Sequence, residues 1–270
     1  MNLLNVTDPD DPRIAAFRDI RERDLVGREN RFIAEGEVVL RGLVQSARHR
    51  PLEVLIDAKR AEKLRPLLEA LPPGVPVYGA GQEVIDQIAG FHLHRGILAL
   101  GQSAPARPVS ELLAQLPEKA LVLVLKAIAN HDNMGGLFRN AAAFGADAVL
   151  LDAESCDPLY RKSIRVSVGS VLTVPYARLM DGEDVLGLLE HSGFRTFSLS
   201  PRGEVALADV VPPQRSALVF GAEGMGLPEE FLTRTQTVSI PMAGGFDSLN
   251  VATSSGIVLH HFAQPFFSRK

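Results

Sequence analysis

Three short stretches in the second half of the chain carry side chains that could bind a ligand or take part in a reaction. They run from Asn133 to Arg139, from Phe220 to Leu227 and from Ile240 to Val251, and each follows an apolar run typical of a strand. Among their side chains are one arginine, one glutamate, one serine and two asparagines. Binding and catalytic groups concentrate on loops that are held by a packed sheet. We therefore expect the functional site to be built from these three stretches.

Glycine dominates the second stretch, which reads Gly-Ala-Glu-Gly-Met-Gly from Gly221 to Gly226. The spacing does not match GxGxxG, no acidic partner follows at the expected distance, and GxxxxGK[ST] does not occur. An NAD-dependent enzyme and a P-loop are therefore excluded. The glycines instead allow the backbone to approach a ligand closely. Glu223 is either a functional carboxylate of this loop or a helix-entry carboxylate near the helix dipole, with Pro228 in the first turn.

The first and third stretches each allow two interpretations. Arg139 lies in a helix of apolar and small residues, so it either points into a pocket or extends along the surface. Asn133 is placed in a strand-to-helix turn with Gly135 and Gly136, where it caps the turn or binds a ligand. Ser248 is a candidate helix N-cap. That role is compatible with function, because the N–H groups at a helix N-terminus suit an anionic ligand.

The composition excludes several classes of protein. The 270 residues are 46% hydrophobic and 22% charged, as in a globular protein of one large or two smaller domains. We expect no transmembrane span, no signal peptide and a cytoplasmic location, and a single cysteine, Cys156, precludes an intrachain disulfide. His92 and His94 lack a supporting carboxylate or cysteine cluster, so no metal site is expected.

The formal net charge of -4 argues mildly against a nucleic-acid partner, since phosphate binding requires lysine and arginine. Local basic clusters occur nevertheless, within Arg41–Arg50, Lys59–Arg65 and Arg161–Arg165. Each is typical of a solvated helix face. A basic face shared by several of them stays open at this level.

A proline-containing linker, Ser103–Pro108, divides the chain into a first domain over residues 1–105 and a second over residues 106–270. The first alternates short helices and strands and is predicted to be a small α/β domain. Its helices are predicted over Glu37–Ser46, Ala61–Ala70 and Gln82–Ile88, and its strands over Leu52–Asp57, Val75–Tyr78 and Gly96–Leu100.

The second domain alternates more regularly, which predicts a parallel sheet with helices on both faces. Continuous apolar runs such as Leu121–Leu125 are typical of buried parallel strands. Further strands are predicted over Ala148–Leu151, Val171–Val174, Arg195–Leu199, Ala217–Phe220 and Thr237–Ile240. Helices are predicted over Leu137–Phe144 and Asp184–His191, and from about Leu249 toward Phe262.

Taken in order, the three stretches resemble the motifs of the SpoU (TrmH-type) RNA ribose methyltransferases of the SPOUT superfamily. Three ordered motifs are far more specific than one. The resemblance spans roughly Leu121 to Phe262, and the region from about Arg28 to Gly101 more weakly resembles the small substrate-binding domain that often precedes it. The matching residues are Asn133, Gly135 and Arg139; Gly221, Glu223, Gly224 and Gly226; and Ile240–Met242 with Ser248–Val251.

The resemblance implies a C-terminal trefoil knot, a rare exception to unknotted folds. It also implies S-adenosylmethionine as the cofactor, ribosomal or transfer RNA as the substrate, and a homodimer that completes the active site. By position, Gly221, Ile240 and Leu249 would contact the cofactor, with Leu199 and Met242 nearby. The implied catalytic residues are Arg139, Asn133, Glu223, Ser248 and Asn250.

The implied reaction moves the sulfonium methyl group to a ribose 2′-hydroxyl, the group that distinguishes RNA from DNA. The resemblance casts Arg139 as the base, but a guanidinium is normally fixed in its charged form. We therefore expect Arg139 to anchor a phosphate and to stabilise the developing alkoxide. Methylation of an RNA base, or RNA binding without catalysis on the same fold, are the alternatives.

Two departures from the family pattern stand out. Ala252 and Thr253 follow the third motif, where the family usually has serine. Asn130 and His131 precede Asn133, where an Asp-Pro pair is common. We expect the second change to alter the turn and to leave the chemistry unchanged.

Overall fold

The structure is a computed structural model that describes residues 3–18, 30–90, 93, 96–222, 224–244 and 248–267. The chain forms two compact units. The first comprises Met1–Pro105 together with Asp157–Thr173, and the second comprises Ala106–Cys156 together with Val174–Lys270. A short segment from the later half of the chain therefore belongs to the first unit.

The described strands and helices are numbered in chain order. The strands are β1 Leu3–Val6, β2 Arg31–Glu35, β3 His49–Asp57, β4 Val77–Ala80, β5 Ile97–Ser103, β6 Ala120–Leu125, β7 Ala148–Leu151, β8 Tyr176–Arg178, β9 Arg195–Leu199, β10 Val205–Ala206, β11 Arg215–Phe220 and β12 Gln236–Ser239. The α-helices are α1 Glu37–Gln45, α2 Ala61–Glu69, α3 Gln82–Ala89, α4 Val109–Ala114, α5 His131–Ala143, α6 Arg161–Val166, α7 Val185–His191, α8 Glu229–Arg234 and α9 Val251–Phe267.

The first unit contains a mixed five-stranded sheet in the order β1-β4-β3-β5-β2. The pairs β1–β4 and β4–β3 are parallel, whereas β3–β5 and β5–β2 are antiparallel. Its core includes the buried side chains Ile33, Leu55 and Leu98. The predicted helices and strands of this region are present with shifted ends, while β1 and β2 were not predicted from the sequence.

The second unit contains a seven-stranded sheet in the order β10-β12-β9-β11-β6-β7-β8, in which every pairing is parallel. All six residues of β6 are buried, so both faces of the sheet are covered at its centre. The predicted parallel α/β sheet is thereby confirmed. No helix in the described part of the chain is both long and apolar enough to cross a membrane.

One predicted strand of this region is wrong. Val171–Val174 was expected to be a strand, but Ser170–Leu172 forms a 3-10 helix and the strand comes later, at Tyr176–Arg178. Gly169 precedes the turn with φ of +83°, and the Leu172 amide donates to the Gly169 carbonyl at 3.0 Å. Short apolar runs cannot be assigned from periodicity alone, and here the glycine decided the local structure.

The start of α5 also differs from the prediction. The helix begins at His131, six residues before the expected Leu137, so Asn133 lies in its first turn and not in a preceding loop. Gly135 and Gly136 are therefore helical. The C-terminal helix begins at Val251 and extends to Phe267, close to the predicted start near Leu249 but beyond the predicted end at Phe262.

Strand register places the three motifs at one edge of the second sheet. Phe220, the last residue of β11, pairs with Leu125, the last residue of β6. On the other side of β11, Leu199 at the end of β9 pairs with Val238 near the end of β12. The loops that follow β6, β11 and β12 therefore leave the same carboxyl edge of one parallel sheet, where ligands of open α/β sheets bind.

Candidate active site

The first motif begins with a side-chain cap. The Asn130 Oδ1 atom accepts hydrogen bonds from the backbone amides of Asp132 at 2.7 Å and Asn133 at 3.4 Å. Asparagine is among the best N-cap residues, because its side chain satisfies amides that have no partner within the helix. The residue that departs from the family pattern at this position thus serves as the helix cap and fixes where α5 starts.

A direct hydrogen bond joins the first and third motifs. Asn250 Nδ2 donates to Asn133 Oδ1 at 2.8 Å, across a separation of 117 residues in sequence. Asn133 is buried, at 7% exposure, whereas Asn250 is exposed, so the bond is shielded from water on the Asn133 side only. Asn250 Oδ1 also accepts from the amides of Ala252 at 2.9 Å and Thr253 at 3.3 Å, which makes Asn250 the cap of α9. The cap candidate Ser248 lies two residues earlier and is exposed.

Small residues allow α5 and α9 to pack closely beside this bond. A Cβ atom placed on Gly136 would lie 2.6 Å from the Ala252 Cβ, so a larger residue would force the two helices apart. Asn140 Nδ2 donates to the Ala252 carbonyl at 2.6 Å and to the Ser255 hydroxyl at 2.8 Å. The small residues Gly136 and Ala252 therefore permit helix contact, and Asn140 fixes it.

Sequence reasoning missed Asn140, although its spacing was informative. Asn133, Gly136 and Asn140 follow the i, i+3, i+7 pattern of one helix face. Asn133 and Asn140 are about 20° apart around the helix axis, at about 100° per residue. Polar and glycine residues repeated on one face indicate a contact between helices rather than a loop.

Arg139 lies on another side of α5. It is about 120° from Asn133 around the axis, and its side chain is exposed. The structure thus brings Asn133 and Asn250 together but leaves Arg139 at the surface of the same helix. Glu223 lies outside the described residues, so its position rests on the motif alone.

The glycine loop folds back on itself. Gly226 donates its amide to the Ala222 carbonyl at 3.2 Å, and these two residues form a short antiparallel bridge. A Cβ atom on Gly221 would lie 2.7 Å from the Gly226 carbonyl oxygen. Gly224 and Gly226 have φ of +89° and +67°, the left-handed region that glycine favours. The glycines therefore shape the loop as well as leave its outer side open.

Four of the five predicted cofactor contacts, Leu199, Gly221, Ile240 and Met242, lie at or just after the carboxyl ends of β9, β11 and β12, and Leu249 precedes α9. Leu199, Gly221, Ile240 and Met242 are half-buried, and Leu249 is 38% exposed. Apolar side chains that are only partly covered, next to loop backbone outside regular secondary structure, suit a ligand with both apolar and polar parts. The residues present therefore fit a small organic cofactor held by the loops.

A carboxylate anchors the loop that leads into α5. Asp152 is 7% exposed and accepts from the Ala127 amide at 3.1 Å, the Ser155 hydroxyl at 2.7 Å and the Lys126 ammonium at 2.8 Å. Burial alone would raise the Asp152 pKa, but the bonds from Lys126, Ser155 and Ala127 outweigh it and lower the pKa. The hydrogen bonds that Lys126 donates to Asp152 and to Glu154 raise the pKa of Lys126.

This anchor explains an uncommon backbone conformation. Ala127 has φ of +55°, which non-glycine residues rarely adopt. Its amide is held by Asp152, and the Ser155 hydroxyl accepts from the Ile128 amide at 3.0 Å. Sequence reasoning did not identify Asp152. Among the described residues, no group of three histidine, cysteine or carboxylate side chains could hold a metal ion.

Comparison with known proteins agrees with this geometry. The family model described as the SpoU rRNA Methylase family matches residues 120–260. An uncharacterized tRNA/rRNA methyltransferase of Mycobacterium bovis is 38% identical, over 96% of this chain and 91% of that protein. The 23S rRNA (guanosine-2′-O-)-methyltransferase RlmB of Salmonella typhimurium is 30% identical, over 82% of this chain and 93% of RlmB.

Solved structures show the same fold. An AdoMet-bound rRNA methyltransferase from Sinorhizobium meliloti superimposes with a TM-score of 0.82 at 24% identity, over 98% of both chains. The SpoU methyltransferase AviRb from Streptomyces viridochromogenes, in complex with AdoMet, gives a TM-score of 0.79 at 22% identity, over 94% of this chain and 97% of AviRb. The family match and the similarity to RlmB confirm the resemblance found in the sequence motifs.

Proposed function

Because the chain belongs to the SpoU rRNA methylase family, we propose that it transfers a methyl group from S-adenosylmethionine to a ribose 2′-hydroxyl of ribosomal or transfer RNA. The hydrogen bond between Asn133 and Asn250 carries the proposal, since it joins two motifs of that family that are far apart in sequence. The similarity to RlmB, named as a 2′-O-methyltransferase of 23S rRNA, favours the ribose over the base.

The cofactor is assigned to the carboxyl edge of the second sheet. There Leu199, Ile240 and Met242 offer half-buried apolar surface, and Gly221 and Leu249 lie in the adjoining loops. When bound, S-adenosylmethionine supplies a sulfonium methyl group that is already a strong electrophile. The protein must therefore mainly bind, orient and exclude water, and correct positioning can lower a barrier by roughly 7–11 kcal/mol.

Arg139 is assigned to the RNA backbone. Its exposed side chain can reach a phosphate, and a guanidinium stays charged and binds phosphate through two parallel bonds. The same charge stabilises an alkoxide that develops on the ribose oxygen. Asn133 and Asn250 hold α5 and α9 in register, and Ser248 and Glu223 orient the nucleotide from the two loops. Proton removal by a neutral arginine is not part of the proposal.

A homodimer, a C-terminal trefoil knot and a cytoplasmic location complete the proposal. Leu249, just before α9, is 38% exposed, and Ile257, on α9, is 40% exposed. Exposed apolar side chains of this size support a partner subunit that covers them. The knot is proposed from membership of the SpoU rRNA methylase family. The substrate RNAs support the location.

The test combines calorimetric titration with S-adenosylmethionine and methylation of RNA from a deletion strain. We expect Arg139→Ala to keep cofactor binding and to lower methyl transfer at least 100-fold, with Arg139→Lys recovering little. Arg195→Ala is the matched control, because Arg195 is an exposed arginine at the amino end of β9, away from the carboxyl edge of the sheet, and donates to Gln236. Gly221→Val is unsuitable, since its side chain would clash with its own loop.

Each outcome has a separate meaning. Methylated nucleosides with the methyl group on the ribose support the proposal, whereas base methylation would point to the base methyltransferase. Cofactor binding without transfer to any cellular RNA would favour a non-catalytic RNA-binding protein. Near-full activity of Arg139→Lys would contradict the bidentate phosphate role.

A further inference from the structure

The first unit contains an open cleft where β3 begins and β5 ends. Its volume is about 660 Å³. His49 and Arg50, the first residues of β3, pair with Ser103 and Gln102 at the end of β5, so both strands contribute to the lining. None of the described residues that line the cleft is acidic. The volume falls in the range of small-ligand sites, roughly 300–1,000 Å³.

His49 is the unusual residue of this cleft. It lines the cleft, is 4% exposed, and its Nδ1 atom is buried without a hydrogen-bond partner. Buried polar atoms without partners are rare in folded proteins, because each loses its bonds to water. Packing alone does not explain why a side chain with a polar ring nitrogen occupies this buried position. The ring meets Phe32 edge-on at 5.4 Å between centroids, a contact that a phenyl ring makes equally well.

The protonation state of His49 defines what it can bind. Burial, together with the nearby Arg48 charge, lowers the His49 pKa to about 4. The ring is therefore neutral near pH 7, with one nitrogen that donates and one that accepts a hydrogen bond. A neutral imidazole of this kind suits the polar edge of a base or a sugar hydroxyl, rather than an anion.

Two arginines supply positive charge at the same cleft. Arg50 is exposed, and Arg48 is half-buried and donates to the Pro105 carbonyl at 3.3 Å. Asn30 and Gln102 add amide groups to the lining. A cleft that combines guanidinium groups, amides and a neutral imidazole, without a carboxylate, matches a ligand with one phosphate and several hydrogen-bonding edges.

We propose that this cleft binds one unpaired nucleotide of the RNA substrate, with its phosphate at Arg48 and Arg50 and its base edge or sugar hydroxyl at His49. The proposal rests on the proposed function, because it names how the same RNA is held by the first unit. A paired base is stacked inside a helix, whereas an unpaired one can turn out and enter a recess. A recessed imidazole therefore selects for unpaired nucleotides.

Fluorescence anisotropy with two RNA probes tests the proposal. One probe is a labelled hairpin with a single bulged uridine, and the other is the same hairpin fully paired. We expect the full-length protein to bind the bulged probe about tenfold more tightly. His49→Phe should remove this preference, and His49→Asn, which returns a polar group near Nδ1, should restore part of it.

Arg50→Ala tests the phosphate contact without disturbing the core, because Arg50 is exposed. We expect weaker binding of the bulged probe. The slope of log binding constant against log salt concentration should decrease by about one, as expected for the loss of one phosphate contact. Arg65→Ala is the matched control. Arg65 is an exposed arginine of the same unit that pairs with Glu62 and does not line the cleft, so its removal should keep the preference.

Calorimetry and methylation assays on the same preparations separate this proposal from the proposed function. Equal binding of the two probes by the unmodified protein, or a preference that survives both His49→Phe and Arg50→Ala, would overturn the cleft as a nucleotide site. If methyl transfer is intact in that case, the proposed function stands alone. A protein that binds neither S-adenosylmethionine nor either RNA would overturn both.

Discussion

Replacing Gly136 by alanine sets two physical effects against each other. In an ordinary helix interior this change stabilises by about 1 kcal/mol, because glycine is a poor helix former. Here the new Cβ would lie 2.6 Å from the Ala252 Cβ. Carbon atoms in contact prefer separations of about 3.5–4.0 Å, so α5 and α9 must move apart by roughly 1 Å.

The expected magnitudes follow from that displacement. Overpacking in a core typically costs about 1–3 kcal/mol. After the gain in helix propensity, we expect a net loss of about 1 kcal/mol, or about 2–4 °C in melting temperature for a unit of this size. A shift of about 1 Å would also lengthen the 2.8 Å bond between Asn250 and Asn133 beyond hydrogen-bonding distance.

The effect on activity should exceed the effect on stability. A misplacement of about 1 Å in the groups that position a substrate can lower a rate about 100-fold. We therefore expect Gly136→Ala to lower methyl transfer 10- to 100-fold in the folded protein. The assay is methyl transfer to RNA at saturating S-adenosylmethionine, with thermal unfolding followed in the same buffer.

The facing helix offers a matched control. A Cβ on Gly256 would meet the Asn140 side chain at 3.5 Å, which is ordinary contact. Gly256→Ala should therefore stabilise the protein by about 0.5–1 kcal/mol and leave activity intact. Adding Ala252→Gly to Gly136→Ala should restore both properties. If Gly136→Ala were as stable and active as the unmodified protein, the argument from close helix packing would be refuted.

Three further predictions follow from single contacts. Asn250→Ala should lose about 1–2 kcal/mol in chemical unfolding as the α9 cap is removed, whereas Ser248→Ala should change stability by less than about 0.5 kcal/mol. The His49 pKa lies below that of the unfolded chain, so stability should fall by roughly 3 kcal/mol as pH drops from 6.5 to about 4, and unfolding curves of His49→Phe should lack this loss. The Asp152 pKa is lower in the folded protein than its value near 4 in the unfolded chain, so ionised Asp152 stabilises the fold above about pH 4 and this stabilisation is lost at lower pH. Asp152→Asn cannot pair with Lys126 as an anion, so its free energy of unfolding should change less between pH 5 and pH 2 than that of the unmodified protein.

Part of the fold could be predicted because local sequence is decisive in buried parallel strands. Ala148–Leu151, whose four residues are all buried, was predicted with the ends that the structure has. In such strands both faces are covered, so apolar residues run without interruption and polar residues mark the ends. The prediction of a strand over Val171–Val174 was wrong because an apolar run in a tight turn cannot be told from a buried strand by its sequence.

The first motif shows where local reasoning stops. Two adjacent glycines are usually found in a turn, and the sequence alone therefore placed Gly135 and Gly136 before the helix. Both lie inside α5, and Ala252 of another helix occupies the space that a side chain at Gly136 would fill. The preference of glycine for turns is weak compared with a close contact between two packed helices.

The sequence by itself determined the family, the parallel sheet and the order of the three motifs, because these depend on residue types and spacing along the chain. Only the tertiary structure decided which motif residues meet. Asn133 and Asn250 are 117 residues apart and share a hydrogen bond, while Arg139, six residues from Asn133, faces elsewhere. The spacing along α5 sets which side of the helix each residue occupies, but only strand order and helix packing bring Asn250 to the side that carries Asn133.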